Sequence, residues 1–89
     1  MSSTDVDTPQ ASLVTQLLVA EKYGTRLNMD QLATELGLSR SSVYNAISAE
    51  TFPIPTYIDS GRRFADFRDV ALHLDRCRAR ARAGANSPA

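Results

Sequence analysis

Apolar residues recur at helical spacing in four stretches of this chain. Leu13, Val14, Leu17 and Leu18 form the first stripe, which predicts a helix from Pro9 to Tyr23. Thr8 suits its N-cap, and Pro9 the first helical position, where a missing N–H costs nothing. Gly24 ends it. The stripe is expected to complete the core of a small domain; the other reading is that it packs against another copy. Arg26 and Leu27 read as a short extended piece. A second helix is expected over Met29–Leu36, capped by Asn28 with Gln31 as the reciprocal partner of a capping box. Leu32, Ala33 and Leu36 make its buried face. Gly37 then permits a turn with positive φ, and Ser39 caps a third helix from Arg40 to about Glu50.

Beyond that point the pattern changes. Phe52, Pro53, Ile54 and Pro55 exclude helix, because each proline removes a donor and fixes φ. Thr56–Ile58 reads as a strand, Asp59–Gly61 as a turn and Arg62–Ala65 as the returning strand. A last helix starts near Asp66, with Phe67, Val70, Ala71, Leu74 and Cys77 (or Arg78) on its inner face. Residues 1–8 and 84–89 are rich in Ser, Thr, Asp, Gly, Asn and Pro and read as flexible ends, leaving one domain over 9–83. The expected fold class is mainly α with a small β-hairpin: a winged helix-turn-helix with an added N-terminal helix.

The case for that motif rests on spacing. Ala33 is small where two helices would cross closest. Gly37 follows four residues later, and Val43 six after that, with Leu36 and Leu38 bracketing the turn by apolar contacts. At 100° per residue, Val43, Ala46 and Ile47 of the third helix face inward. Ser41, Asn45 and Ser48 face outward, with Ser42 and Tyr44 on the flanks. This outer face carries no acid. Its hydroxyls and amide can bond phosphates and base edges, Asn45 bidentately to adenine. Arg40, in the first turn, can reach a phosphate or a guanine, and the helix start itself favours phosphate. Arg62 and Arg63 adjoin the hairpin turn, where arginines suit the minor groove or the backbone. Asp59 on the same tip opposes that.

Charge changes the picture only through its distribution. The 89 residues carry a formal net charge of zero. Residues 1–39 hold two basic side chains against five acidic ones, and residues 40–89 hold eight against five, so a polyanion has a basic half to bind. The longest aliphatic run, Leu17 to Ala20, is far too short to span a membrane. Met1 to Thr8 is polar and acidic rather than laid out as a secretion signal. Cys77 is the lone cysteine, which excludes an internal disulfide framework. A cytoplasmic, nucleoid-associated protein is expected.

The stretch "MDQLATELGLSRSSVYNAI", then "TFPIP", then "YIDSGRRFADFRDVALHLD" resembles the AlpA-like and excisionase-like winged helix-turn-helix proteins of the MerR superfamily. Ser39–Tyr44, Phe52–Pro55, Gly61–Arg63, Phe64 and Asp69–Leu74 occupy the places of the family's recognition helix, Phe-Pro segment, wing and final helix. The likeness runs from Leu27 to Arg78. It implies DNA contacts by Arg40, Ser41, Ser42, Tyr44 and Asn45 in the recognition helix and by Arg62 and Arg63 in the wing. It also implies work as a recombination directionality factor of a mobile element, partnered by a site-specific integrase, or as a small transcriptional regulator. Two departures stand out: the helix before Tyr23 precedes the usual family start, and Phe64 and Leu74 replace the more usual tryptophans. That leading helix, with "LLVAEKYG", is similar to the pyocin-activator type of regulator.

Other constellations carry less. His73 and Cys77, four apart on a helix, are too few ligands for zinc. No nucleophile–base pair or glycine-rich phosphate loop is present, so neither catalysis nor a cofactor is expected. Arg76, Arg78, Arg80 and Arg82 end the last helix, where cations complement its dipole; a backbone-binding tail is the other reading. The functional expectation is cooperative loading of several copies on double-stranded DNA, bending or scaffolding it for an integrase. The alternatives are a transcriptional activator or repressor, and a protein-interaction module without DNA binding.

Overall fold

The computed structural model describes residues 10–85. The order of elements is α1 (Leu13–Tyr23), β1 (Arg26–Asn28), α2 (Met29–Leu36), α3 (Arg40–Ser48), β2 (Tyr57–Asp59), β3 (Arg62–Asp66) and α4 (Phe67–Ala85). The chain is thus mainly helical with one small antiparallel sheet in the order β1-β3-β2.

Local chemistry explains most boundaries. α1 starts at Leu13, the first residue of the apolar stripe, rather than near Pro9, because the Ser12 side chain accepts from the Thr15 N–H at 3.1 Å and caps the helix there. Thr8 and Pro9, expected to open it, lie outside the described residues, as do 1–7 and 86–89. Asn28 closes β1 and caps α2 at once. Its Oδ1 accepts from the Gln31 N–H at 2.8 Å, while Gln31 Oε1 accepts from the Asn28 N–H at 2.9 Å, the reciprocal pair foreseen in the sequence. α2 ends at Gly37, φ 70° and ψ 28°. There the Leu38 N–H reaches the Ala33 carbonyl and the Gly37 N–H the Thr34 carbonyl, a Schellman closure. Leu36 packs on the core but Leu38 is exposed, so only one of the two expected apolar brackets forms.

Ser39 caps α3 by accepting from the Ser42 N–H at 3.0 Å. The helix stops at Ser48 rather than Glu50. Glu50 sits at φ 59°, and Thr51 N–H bonds back to the Ala46 carbonyl. Holding a non-glycine residue there costs roughly 1–2 kcal/mol, and it turns the chain toward Pro53. Between two prolines, Ile54 is buried and Phe52 packs beside it, so the proline segment is a strap over the core.

Tyr57–Asp59 and Arg62–Asp66 pair with Asp59 opposite Arg62, a register one residue beyond the expected Thr56–Ile58 strand. Ser60 (φ 54°) and Gly61 (φ 79°) form a two-residue turn of the kind whose twist matches a hairpin. The extended piece at Arg26–Asn28 adds a third strand: Leu27 lies opposite Ala65, and both are fully buried. α4 begins at Phe67, where Asp66 accepts from the Arg68 N–H at 2.8 Å. It continues through Gly84 to Ala85, where a flexible end is expected from the sequence, because the Arg- and Ala-rich run keeps good helix formers up to Ala83.

Leu27, Leu32, Val43 and Val70 are the large side chains with no exposure, each worth about 1.5–3 kcal/mol of burial. Ala11, Val19, Met29, Ala33, Ile54, Ala65 and Ala71 complete the cluster. α4 carries half-buried residues on two sides, Phe67, Leu74 and Cys77 on the predicted face and Leu72 and His73 beside it, because α1 packs on one side and the proline strap on the other.

The main correction concerns α1. Leu13, Val14, Leu17 and Leu18 are 69, 66, 60 and 60% exposed. The opposite face, with Thr15, Val19 and Tyr23, packs inward. Val19 and Tyr23 pack on the core in this orientation, and polar bonds at both ends of the helix accompany them. Asp75 of α4 accepts from the Ser12 N–H and the Thr15 hydroxyl, both at 2.7 Å. Tyr23 donates to Glu35 of α2 at 2.7 Å, and Lys22 joins that carboxylate at 3.2 Å.

Candidate nucleic-acid interface

α3 divides by face as its sequence requires: Val43 is fully buried, Ala46 and Ile47 are half-buried, and Ser41, Ser42, Tyr44, Asn45 and Ser48 are exposed. Val43 anchors the helix by contact with the α2 side of the core. Among the outward hydroxyls, Ser42 is engaged, its Oγ taking a hydrogen bond from Ser39 at 2.9 Å. The Arg40 guanidinium lies 5.6 Å from the Tyr44 ring centre and 3.2 Å from Asp30 at the start of α2. Both members of that ion pair are well exposed, so it adds little stability and exchanges easily for another anion.

The hairpin packs beside this end of α3. Arg40 and Tyr44 form one wall of an open groove of about 500 Å³, and Ile58, Gly61, Arg62 and Arg63 form the other, with Asn28 and Asp30 at its base. Three arginines against one aspartate make it electropositive. Successive strand residues point to opposite faces, so Arg62 and Arg63 differ. Arg63 shares the face of Ala65 and is half-buried, its guanidinium donating to the Thr56 hydroxyl at 2.8 Å. Arg62 is exposed and makes no hydrogen bond or ion pair among the described residues.

Asp59, which the sequence sets against an anionic partner, is neutralised. Arg26 of β1 lies 3.8 Å over the Phe64 ring and reaches Asp59 at 2.7 Å. The guanidinium holds the Asp59 carboxyl below the usual carboxylate range. Arg26, Phe64, Thr56 and Asp30 were missed as parts of the site. Arg26 and Asp59 are 33 positions apart, and only the third strand brings them across the sheet.

Arg40, Tyr44, Arg62 and Arg63 therefore meet at one groove, while Ser41, Asn45 and Ser48 continue the exposed face of α3 away from it. His73 and Cys77 lie outside this region, on α4. Their Nε2 and Sγ are 3.5 Å apart, and no third ligand stands near among the described residues. Burial, then Arg80 and Arg76, lowers the His73 pKa, which favours the neutral ring.

No protein-family model, curated protein or solved structure matches this chain. No helix among the described residues is long and apolar enough to cross a membrane.

Proposed function

We propose that the chain is a duplex-DNA-binding protein of the winged helix-turn-helix kind, with α2 and α3 as the helix-turn-helix and β2–β3 as the wing. The observation that carries this is the convergence of Arg40, Arg62 and Arg63 on one groove beside an acid-free helix face. α3 enters the major groove. Ser41, Asn45 and Ser48 meet base edges or phosphates, and Arg40 releases Asp30 to take a phosphate or a guanine. Arg62 lies on the neighbouring backbone or in the minor groove. Arg63, braced by Thr56, sets the angle between wing and helix. The protein has no chemistry of its own to perform; its effect is on the shape and occupancy of DNA.

Within that reading, the favoured role is a recombination directionality factor. Copies bound side by side bend or scaffold a site for an integrase, and their joint contacts offset a bending cost of roughly 1–6 kcal/mol. Control of a nearby promoter is the second role, using the same contacts.

The test is a titration of labelled duplex at two salt concentrations. Binding should weaken with salt, with a log–log slope near −0.9 per phosphate neutralised. Arg40→Glu combined with Arg62→Glu, both at exposed side chains, should abolish the shift while the fold persists. Unchanged affinity in that variant would move the protein to the class of interaction modules. An excision assay with an integrase and a promoter reporter then separate the two roles.

A further inference from the structure

The exposed face of α1 is the largest feature that DNA binding leaves unused. Leu13, Val14, Leu17 and Leu18 adjoin one another on one helix side, and all four are mostly exposed, a contiguous aliphatic patch of the kind that marks an interaction site. A shallow apolar groove of about 220 Å³ runs beside Leu18, between Val19, Tyr23 and Leu74.

Charges stand at the two ends of this stripe with opposite signs. At the N-terminal end, Arg78 and Arg82 of α4 line the same hollow as Val14 together with Asp75, which is taken up by Ser12 and Thr15, and neither arginine forms a salt bridge among the described residues. At the C-terminal end, Lys22 is already paired with Glu35, which leaves Glu21, one turn beyond Leu17, as the charge without an ion pair among the described residues. Residues four apart share a helix side, so Glu21 continues the stripe itself.

We propose that this face binds a second copy of the chain, with the two α1 helices antiparallel about a two-fold axis at Leu17 and Leu18. Only that placement satisfies both features at once. It covers the aliphatic stripe with its own image, as a two-fold interface requires. It also brings each Glu21 to the partner's basic end at Arg78 and Arg82, and seats the partner's Leu13 in the groove beside Leu18. A parallel pairing would set Arg82 against Arg82 and Glu21 against Glu21. The formal net charge of zero removes long-range repulsion between copies. The contact is closed, so it gives pairs rather than filaments. On DNA, a pair presents two α3 helices related by two-fold symmetry and fits an inverted repeat; longer arrays need another contact.

The experiment is sedimentation of the full chain without DNA, from micromolar to millimolar concentration, so that it does not depend on the DNA reading. The wild type should shift from monomer to dimer mass. Leu17→Asp should stay monomeric with an unchanged far-ultraviolet circular dichroism spectrum, since Leu17 is exposed in the single chain. Glu21→Arg should weaken association by roughly tenfold, because the symmetry makes two attractions into two repulsions. Adding Arg82→Glu to it should restore dimerisation. A wild type that is monomeric throughout overturns the proposal, the cover then being the chain's own N-terminal segment or another protein. Association that survives Leu17→Asp, or is indifferent to the Glu21 reversal, also overturns it.

Discussion

α1 and α3 are helices of similar length with similar apolar spacing, yet they present opposite faces to solvent. α3 turns Val43 and Ile47 inward and its hydroxyls outward. α1 turns Thr15, Val19 and Tyr23 inward and four aliphatic residues outward. The difference lies in what each helix has to pack on. α3 meets the turn after α2 and the main apolar cluster. α1 packs along α4 through Val19 and is pinned at its ends by Asp75 of α4 and Glu35 of α2, and a carboxylate that accepts from a backbone N–H and a hydroxyl gives that docking a defined orientation. An apolar stripe therefore says that a face will be covered, not that the same chain covers it.

The comparison breaks most clearly in stability measurements. Leu32→Ala, in the fully buried cluster, should cost about 2–5 kcal/mol, while Leu17→Ala should stay within about 0.5 kcal/mol at concentrations where the chain is monomeric. Denaturant unfolding of both checks this, and equal costs would return the α1 stripe to the core. Next in size is Gly37→Ala. A Cβ there would meet no atom within 4 Å, so the cost is backbone strain alone, about 1–2 kcal/mol, read from the same unfolding curves.

On the α3 side, Arg62→Ala should lower DNA affinity evenly across sequences and reduce the salt slope by about 1. It should leave sedimentation without DNA unchanged. Arg26→Ala should have a smaller effect of the same sign, because it frees Asp59 to repel phosphate without removing a contact; competition binding against wild type is sensitive enough to read it.

The α1 side has its own pH signature. The Ser12 N–H, then the Thr15 hydroxyl, hold the Asp75 carboxyl below its ordinary pKa. A carboxylate depressed in the folded state contributes stability above its unfolded pKa and loses it as pH falls through the folded value. Acid should therefore loosen α1 from α4 before the core opens, and Asp75→Asn should remove that part of the pH dependence. Amide exchange in α1 against β3 distinguishes the two events.

Four helices, the hairpin and its turn residues are legible in the chain because each is signalled locally. Ser39, Asn28 with Gln31, Gly37 and Ser60–Gly61 satisfy or bend the backbone within a few residues of themselves. The inner face of α3 and the outward Ser41, Asn45 and Ser48 follow from periodicity, and Arg40, Arg62 and Arg63 stand out as cations in the right segments. Tertiary structure alone joined Arg26 to Asp59 across the sheet, tethered Arg40 to Asp30, braced Arg63 on Thr56 and set the outward face of α1. The physical reason is common to all four. Periodicity and capping act within one element, whereas these contacts join different segments of the chain, and which partner a side chain meets there depends on how whole elements dock.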